Sequence, residues 1–338
     1  NRYSETAVKI YSEDFRGFSN YATYNETQFG VLRVICPSKA YVLTIGGGSY
    51  TTTGTAALWA NAAAITAKTT TATLPGVYGP FELSGIAHTS TNRANPNDDY
   101  WFWGEYTTAA IPPTNVSVIR ASRTSFSKVL NVSTGTVRHF HSVQVDPYNA
   151  GHVYATTGDV DSAVYWYKST DYGDTWAAII SAGGQTYRTT RLSFDANYIY
   201  WATDSPFASS GFYRAARGSV NTPTLLFAFA DSIFAYGQTL VLQPYGFMIN
   251  TYSINNAIPS FPIYFYSLID NHVYTILNFD SSQLDWTNGE AGVSWTLNQQ
   301  TTTGKLYCEI RGVKGNDVLS SAGLNRVRHC WISIGEVR

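Results

Sequence analysis

Residues 139–176 read HFHSVQVDPYNAGHVYATTGDVDSAVYWYKSTDYGDTW, and residues 185–206, after a short Gly-containing break, read QTYRTTRLSFDANYIYWATDSP. In the first stretch an alternating run meets a turn at Asp146-Pro147-Tyr148-Asn149. A second run ends in Thr157-Gly158-Asp159, a third covers 164–168, and a tight turn leads into Trp176. The second stretch restarts the cycle, with a run over 186–194, a turn at Asp195-Ala196-Asn197 and a run ending in Thr203-Asp204-Ser205-Pro206. Apolar–polar alternation is the period of a strand, and Asp, Asn, Gly and Pro between runs supply turns. Two copies of one antiparallel unit in succession mark a repeat array.

Working outward, the same unit is legible on both sides. Before it, a run through Ile86, a loop over 92–99, the run Tyr100-Trp101-Phe102-Trp103-Gly104-Glu105 and a run over 116–121 make one unit. The weakest unit lies over 31–71; its Ala-rich stretch 56–67 runs into Thr69-Thr70-Thr71, which argues for strand. After it, runs over 233–242 and 247–252 make another unit, and runs over 292–297, 305–310 and 327–334 a last one. Openings recur about every 50 residues, the spacing of propeller blades. The expected fold is all-β: a single β-propeller domain over 1–338 with about six four-stranded blades, five to seven fitting the length. A ring must close because each blade buries its faces only against neighbours. The last unit is one strand short, so the run 6–12 (TAVKIYS) is expected to close the ring.

Composition excludes several classes. Only 13% of the 338 residues are charged and the net charge is −1, which leaves no basic field for nucleic acid. No apolar stretch approaches the ~20 residues of a membrane-spanning helix. Twenty-five Tyr with abundant Thr suit strands. Three Cys (Cys36, Cys308, Cys330) are too few for a disulfide framework, although Cys308 and Cys330 fall on neighbouring runs. Low Lys and Glu beside high Thr, Tyr, Asn and Ser point to an extracellular protein or one on a cell or virion surface. A start at Asn1, with Met248 as the single Met, fits a mature product whose targeting segment has been removed, and equally a chain trimmed for another reason.

Ser169-Thr170-Asp171-Tyr172-Gly173-Asp174-Thr175-Trp176 fits S-x-D-x-G-x-T-W and resembles the Asp-box of sialidase-like (BNR-repeat) β-propellers. Asp171 can accept hydrogen bonds from its own turn. Gly173 can take a positive φ, and Trp176 offers the area to anchor the turn in the core between blades. The resemblance covers about residues 135–215. It implies that Ser169, Asp171, Gly173, Thr175 and Trp176 are structural, in the turn between a blade's third and fourth strands and away from any active site.

In a propeller the start of each first strand and the end of each second strand surround the central funnel. That rule gathers Arg138, His139 and His141 at one start, Thr157-Gly158-Asp159 at the next end, Gln185, Tyr187 and Arg188 at the following start, and Asp204 at its end. Other units add Glu82, Glu105, Tyr236, Gln238, Asn250, Asn288, Glu290, Glu309 and Arg311. Crowding of polar groups at equivalent places in a charge-poor chain is the functional signal. His139 and His141, two apart on a strand, share a face; with Asp159 or Gln185 they offer a divalent cation imidazole and oxygen ligands. No other cofactor is implied.

Three functions follow. The leading expectation is a propeller that binds carbohydrate or another small polar ligand in its funnel without chemistry. The second is a glycan-degrading hydrolase or a metal-assisted polysaccharide lyase using His139, His141, Asp159 and Arg188. Arg138, Arg188 and Arg311 can be cast as the arginine triad of a sialidase, but the R-I-P motif of those enzymes is absent. The third is a structural or receptor-binding subunit that assembles with itself or with other extracellular or virion proteins.

Overall fold

The computed structural model describes residues 8–11, 20–24, 31–38, 41–47, 52–60, 69–81, 85–89, 94–95, 97–109, 113–207, 209–230, 239–242, 245–253, 260–280, 291–295, 305–311 and 327–333. Among them there is no α-helix. The chain divides into two compact units, 1–155 with 168–177 and 156–167 with 178–338.

The strands of the first half are β1 (Val8–Tyr11), β2 (Asn20–Tyr24), β3 (Val31–Ser38), β4 (Tyr41–Gly47), β5 (Gly54–Ala60), β6 (Thr69–Val77), β7 (Ile86–His88), β8 (Trp101–Gly104), β9 (Asn115–Ala121) and β10 (Phe126–Ser133). β3 to β6 form one antiparallel meander and β7 to β10 the next. A third four-stranded sheet runs β11 (Phe140–Val145), β12 (Val153–Thr157), β13 (Trp166–Ser169), β14 (Ala177–Ile180). A fourth runs β15 (Ser193–Phe194), β16 (Tyr198–Ala202), β17 (Gly211–Ala216), β18 (Thr224–Ala228). Next come β19 (Thr239–Leu242), β20 (Gly246–Asn250), β21 (Tyr252–Ser253), β22 (Ser260–Ser267), β23 (Val273–Asp280), β24 (Ala291–Trp295), β25 (Lys305–Arg311) and β26 (Val327–Ser333). They build the sheets β19-β20-β22-β23 and β21-β24-β25-β26, which brings the four-stranded sheets among the described residues to six.

Each Asp turn works as its residue types require. Between β11 and β12, Asp146 Oδ1 accepts the Tyr148 N–H at 2.9 Å and Oδ2 the Asn149 side-chain amide at 2.9 Å. Between β15 and β16, Asp195 Oδ1 accepts the N–H groups of Asn197 (2.7 Å) and Tyr198 (2.6 Å). These are Asx turns, in which a short acidic side chain satisfies its own backbone.

The cores join sheets consecutive in sequence. In the first unit Leu43, Ile45, Ala56 and Leu58 pack with Ile86, Trp103 and Ile119. In the second, Tyr200 and Phe212 pack with Phe247, Ile249, Tyr264 and Tyr266. Each such side chain removed from water contributes about 1.5–3 kcal/mol, and ring pairs such as Tyr200–Phe247 at 4.6 Å add to it. Gly104 marks how closely consecutive sheets approach, since a Cβ there would lie 2.4 Å from Phe140 Cβ.

Three expectations about strands change. The N-terminal run does not close the last sheet among the described residues: β1 pairs with β2, and the fourth strand of that sheet is β21. A partner strand that begins at Asn20, close after Tyr11 in sequence, costs little loop entropy, so β1 pairs locally. The run expected over 247–252 is two strands, because the chain leaves β20 at Asn250 and re-enters as β21 beside β24. The run expected over 186–194 is mostly not strand: Gln185–Tyr187 is a 3₁₀ turn and β15 is only Ser193–Phe194.

Candidate functional site

An antiparallel meander puts the start of its first strand and the end of its second at one end of the sheet. Of the residues predicted for a site, Glu105, Arg138, His139 and His141 lie at such places in one unit and Asp159, Gln185, Arg188 and Asp204 in the other. Asn250 ends β20, and Glu309 and Arg311 lie on β25.

The first group is aromatic. His139 precedes β11 and His141 lies on it; both are buried, 2% exposed each. Their rings stack at 5.1 Å, so they do share a face. Tyr106 stacks on His139 at 4.0 Å, and Phe81 lies 4.5 Å from Tyr106 and 6.2 Å from His141. His139 Nδ1 is 2.7 Å from the Thr107 carbonyl, and its Nε2 is 3.2 Å from His141 Nε2. A carbonyl only accepts, so His139 carries a hydrogen on Nδ1 and, when neutral, presents a bare Nε2 lone pair. Arg138 is exposed and donates to the Thr108 carbonyl at 3.0 Å. Glu105 is buried as a brace, its carboxylate accepting the N–H groups of Tyr78 (3.0 Å) and Ser117 (2.9 Å). Burial raises its pKa, against the pull of Lys128 and these hydrogen bonds.

The second group is charged. Asp159 follows β12, Gln185 and Arg188 precede β15, and Asp204 follows β16. Arg188 Nη1 donates to the Asp159 carbonyl (3.0 Å) and to Gln185 Oε1 (3.5 Å). Its Nη2 faces Asp204 Oδ2 at 3.4 Å and Asp159 Oδ1 at 3.8 Å. Gln185 Nε2 donates to Asp161 Oδ1 at 2.8 Å, which ties the 3₁₀ turn Asp161–Ala163 into the group. Below it, Thr156 Oγ1 donates to the Thr189 carbonyl (3.1 Å) and the Asp204 N–H to the Arg188 carbonyl (2.9 Å). Asp159 sits at φ +86°, a backbone region that costs a non-Gly residue of order 1–3 kcal/mol. Burial pushes the Asp204 carboxyl up to about 7; Arg188 opposes the shift and Asp159 adds to it.

Tyr187, also predicted for the site, turns inward and packs. Its ring is buried against Trp166 (5.5 Å) and Trp201 (5.7 Å), and its hydroxyl donates to the Val220 carbonyl at 3.0 Å. Burial raises its pKa. Glu82, Tyr236, Gln238, Asn288 and Glu290 lie outside the described residues. Cys308 stands opposite Cys330 in the β25–β26 register. Sequence reasoning missed Tyr106, Thr107 and Asp161; only Asp161 had a local signal, the second acid of Gly158-Asp159-Val160-Asp161.

The turn over 169–176 joins β13 to β14 at the opposite end of its sheet. Ser169 Oγ accepts the Gly173 N–H (2.8 Å) and donates to Asp171 Oδ1 (2.8 Å). Asp171 accepts the Thr175 N–H (2.8 Å) and hydroxyl (2.6 Å), and the Trp176 indole N–H donates to the Gly173 carbonyl (3.1 Å). Gly173 has φ +88°, and a Cβ there would meet Phe102 at 2.9 Å. Trp176 is half-buried rather than a core residue, because its indole folds back onto the turn instead of running inward.

No protein-family model matches the chain, and no curated protein is significantly similar to it. Among solved structures, a prolyl endopeptidase matches 90% of this chain at 10% identity and a TM-score of 0.51. The chain spans 42% of the length of that enzyme. A protein from Lactobacillus plantarum matches 96% of this chain, over 94% of its own, at 13% identity and a TM-score of 0.50. At such identities the likeness speaks to fold alone, and together with the four-stranded antiparallel sheets it indicates a β-propeller.

Proposed function

We propose that this β-propeller binds carbohydrate, or another hydroxyl-rich polar ligand, at the Asp159–Gln185–Arg188–Asp204 group, and does so without chemistry. One observation carries the reading: three separate loops deliver two carboxylates to one guanidinium, with Asp159 held at φ +86° to do so. Strained backbone beside partly exposed charge is characteristic of functional sites. A planar guanidinium and a carboxylate suit vicinal hydroxyls, one donating and the other accepting. A place outside the cell, or on a cell or virion surface, belongs to the same reading.

The test is a panel of neutral and uronic-acid oligosaccharides titrated into the full chain. Arg188→Gln and Asp159→Asn are expected to weaken a bound sugar at least tenfold, whereas Arg138→Gln leaves it unchanged. Equal binding by all of these proteins would place the ligand elsewhere.

A second reading, glycan hydrolysis, is favoured by one feature. A buried carboxyl titrating at about 7 is poised to hand a proton to a leaving group at neutral pH. Release of reducing ends that disappears in Asp204→Asn, with sugar binding retained, would establish it; binding without release in the wild type would dismiss it.

A further inference from the structure

The stacked histidines are not needed by the ligand group above, and they raise a separate question. Two buried imidazoles present Nε2 to Nε2 at 3.2 Å. The Thr107 carbonyl holds His139 as the Nδ1–H form, so one of the facing atoms is a lone pair. In the metal-free chain the His141 Nε2–H donates to it, and the two rings share a single hydrogen.

We propose that His139 and His141 are a divalent-cation site, zinc being the cation, in which the metal takes the place of that shared hydrogen. Two nitrogens each about 2.0–2.1 Å from zinc and 3.2 Å apart subtend about 100° at the metal, between octahedral and tetrahedral. A backbone carbonyl on Nδ1 fixes the ring and its tautomer as ligating histidines require, and the Thr107 carbonyl holds His139 so at 2.7 Å. Imidazole pairs select zinc, copper or nickel over magnesium or calcium. The rings of Tyr106 and Phe81 brace the pair, so little rotamer freedom is lost on binding. Metal entry requires His141 to move its hydrogen from Nε2 to Nδ1, a change of tautomer in which no proton is lost. The remaining coordination positions go to water or to an oxygen ligand.

The experiment uses the full chain and zinc ion alone. Calorimetry of the chelator-treated protein should show saturable uptake of one equivalent. His139→Gln and His141→Gln should each weaken it at least tenfold, while His272→Gln, at an exposed histidine, leaves it unchanged. Long-range proton–nitrogen spectra of the wild-type imidazoles supply a readout that needs no variant: on zinc addition both rings should appear as Nδ1–H forms with shifted Nε2 resonances. No saturable uptake, uptake unaffected by His141→Gln, or uptake with both Nε2 resonances unmoved would overturn the assignment. Sugar binding can fail without touching this result, since the zinc titration is read with no sugar present.

Discussion

Asp204→Asn should stabilise the protein at neutral and alkaline pH, by a margin that shrinks steadily as pH falls from 7 towards 5. The carboxyl is buried and titrates at about 7 in the folded chain, against 3.8 as a free side chain. The folded state therefore holds a proton that the unfolded state has released between those values. Its stabilising effect is complete below pH 3.8 and is lost as pH rises through 7. Each pH unit in that window is worth about 1.4 kcal/mol, so the folded protein forfeits at most about 4 kcal/mol by pH 8. Asn matches the protonated acid in shape and cannot ionise, so it removes the penalty. Against the gain stands the exchange of an acid hydroxyl for an amide in a buried site, about 1–3 kcal/mol at every pH, while Arg188 keeps the Asp159 carbonyl at 3.0 Å. The pull of Arg188 on the ionised carboxyl is already contained in the value of about 7. The net expectation is a gain of about 1–3 kcal/mol at pH 8 and a change near zero at pH 5. Urea denaturation followed by tryptophan fluorescence at pH 5, 6.5 and 8 measures it. A variant destabilised equally at all three values would show that Asp204 is ionised throughout and that the ion pair outweighs the burial.

Gly104→Ala should cost at least about 1–3 kcal/mol, seen as a lower Tm, because its methyl would overlap Phe140 between two packed sheets. Asp171→Ala strips acceptors from the Thr175 backbone and hydroxyl and should lower the Tm by an amount corresponding to about 1–3 kcal/mol. Burial works against ionisation of Asp171, but the Thr175 and Ser169 hydrogen bonds outweigh it and lower its pKa, so its contribution is present above pH 3.8 and fades on acidification below it. Tyr187→Phe leaves the Val220 carbonyl short of a donor and should cost about 1 kcal/mol in denaturant titration with no effect on any ligand; a loss of ligand affinity would return Tyr187 to the site.

Sequence legibility followed how local each determinant is. Asp146-Pro147 and Asp195-Ala196-Asn197 announced turns because the side chain that makes the turn belongs to it. The pairing of His139 with His141 followed from strand period alone, and Arg188 with Asp159 and Asp204 from the topology of a meander. What failed was non-local. Nothing in Tyr252-Ser253 says that these two residues pair with Ala291 and Gly292. The placement of Tyr106 over His139 depends on how β8 and β11 meet, and the inward turn of Tyr187 on Trp166 and Trp201. Trp176 was read from its size, whereas the geometry of its turn decides where the ring goes.

The Asp residues of the central repeats sort by the end of the sheet they occupy, and this bears most directly on function. At one end, Asp146, Asp171 and Asp195 spend their oxygens on backbone N–H groups and side chains within a few residues, while the exposed Asp174 meets a guanidinium, that of Arg120 at 2.7 Å. The first three carboxylates serve their own turns, and the Asp174 pair is a solvent-exposed one of little energetic weight. At the other end, Asp159 and Asp204 face a guanidinium brought from a different loop, and one of them does so from a strained backbone. A turn could be closed more cheaply with Gly or Asn at φ +86°. Asp159 itself adds little to stability, since its carboxylate is part-exposed and 3.8 Å from Arg188, which keeps Asp204 Oδ2 and the carbonyl of residue 159 without it. Replacing Asp159 by Gly should therefore leave the Tm unchanged or raise it while abolishing ligand binding, the separation that distinguishes a binding residue from a brace.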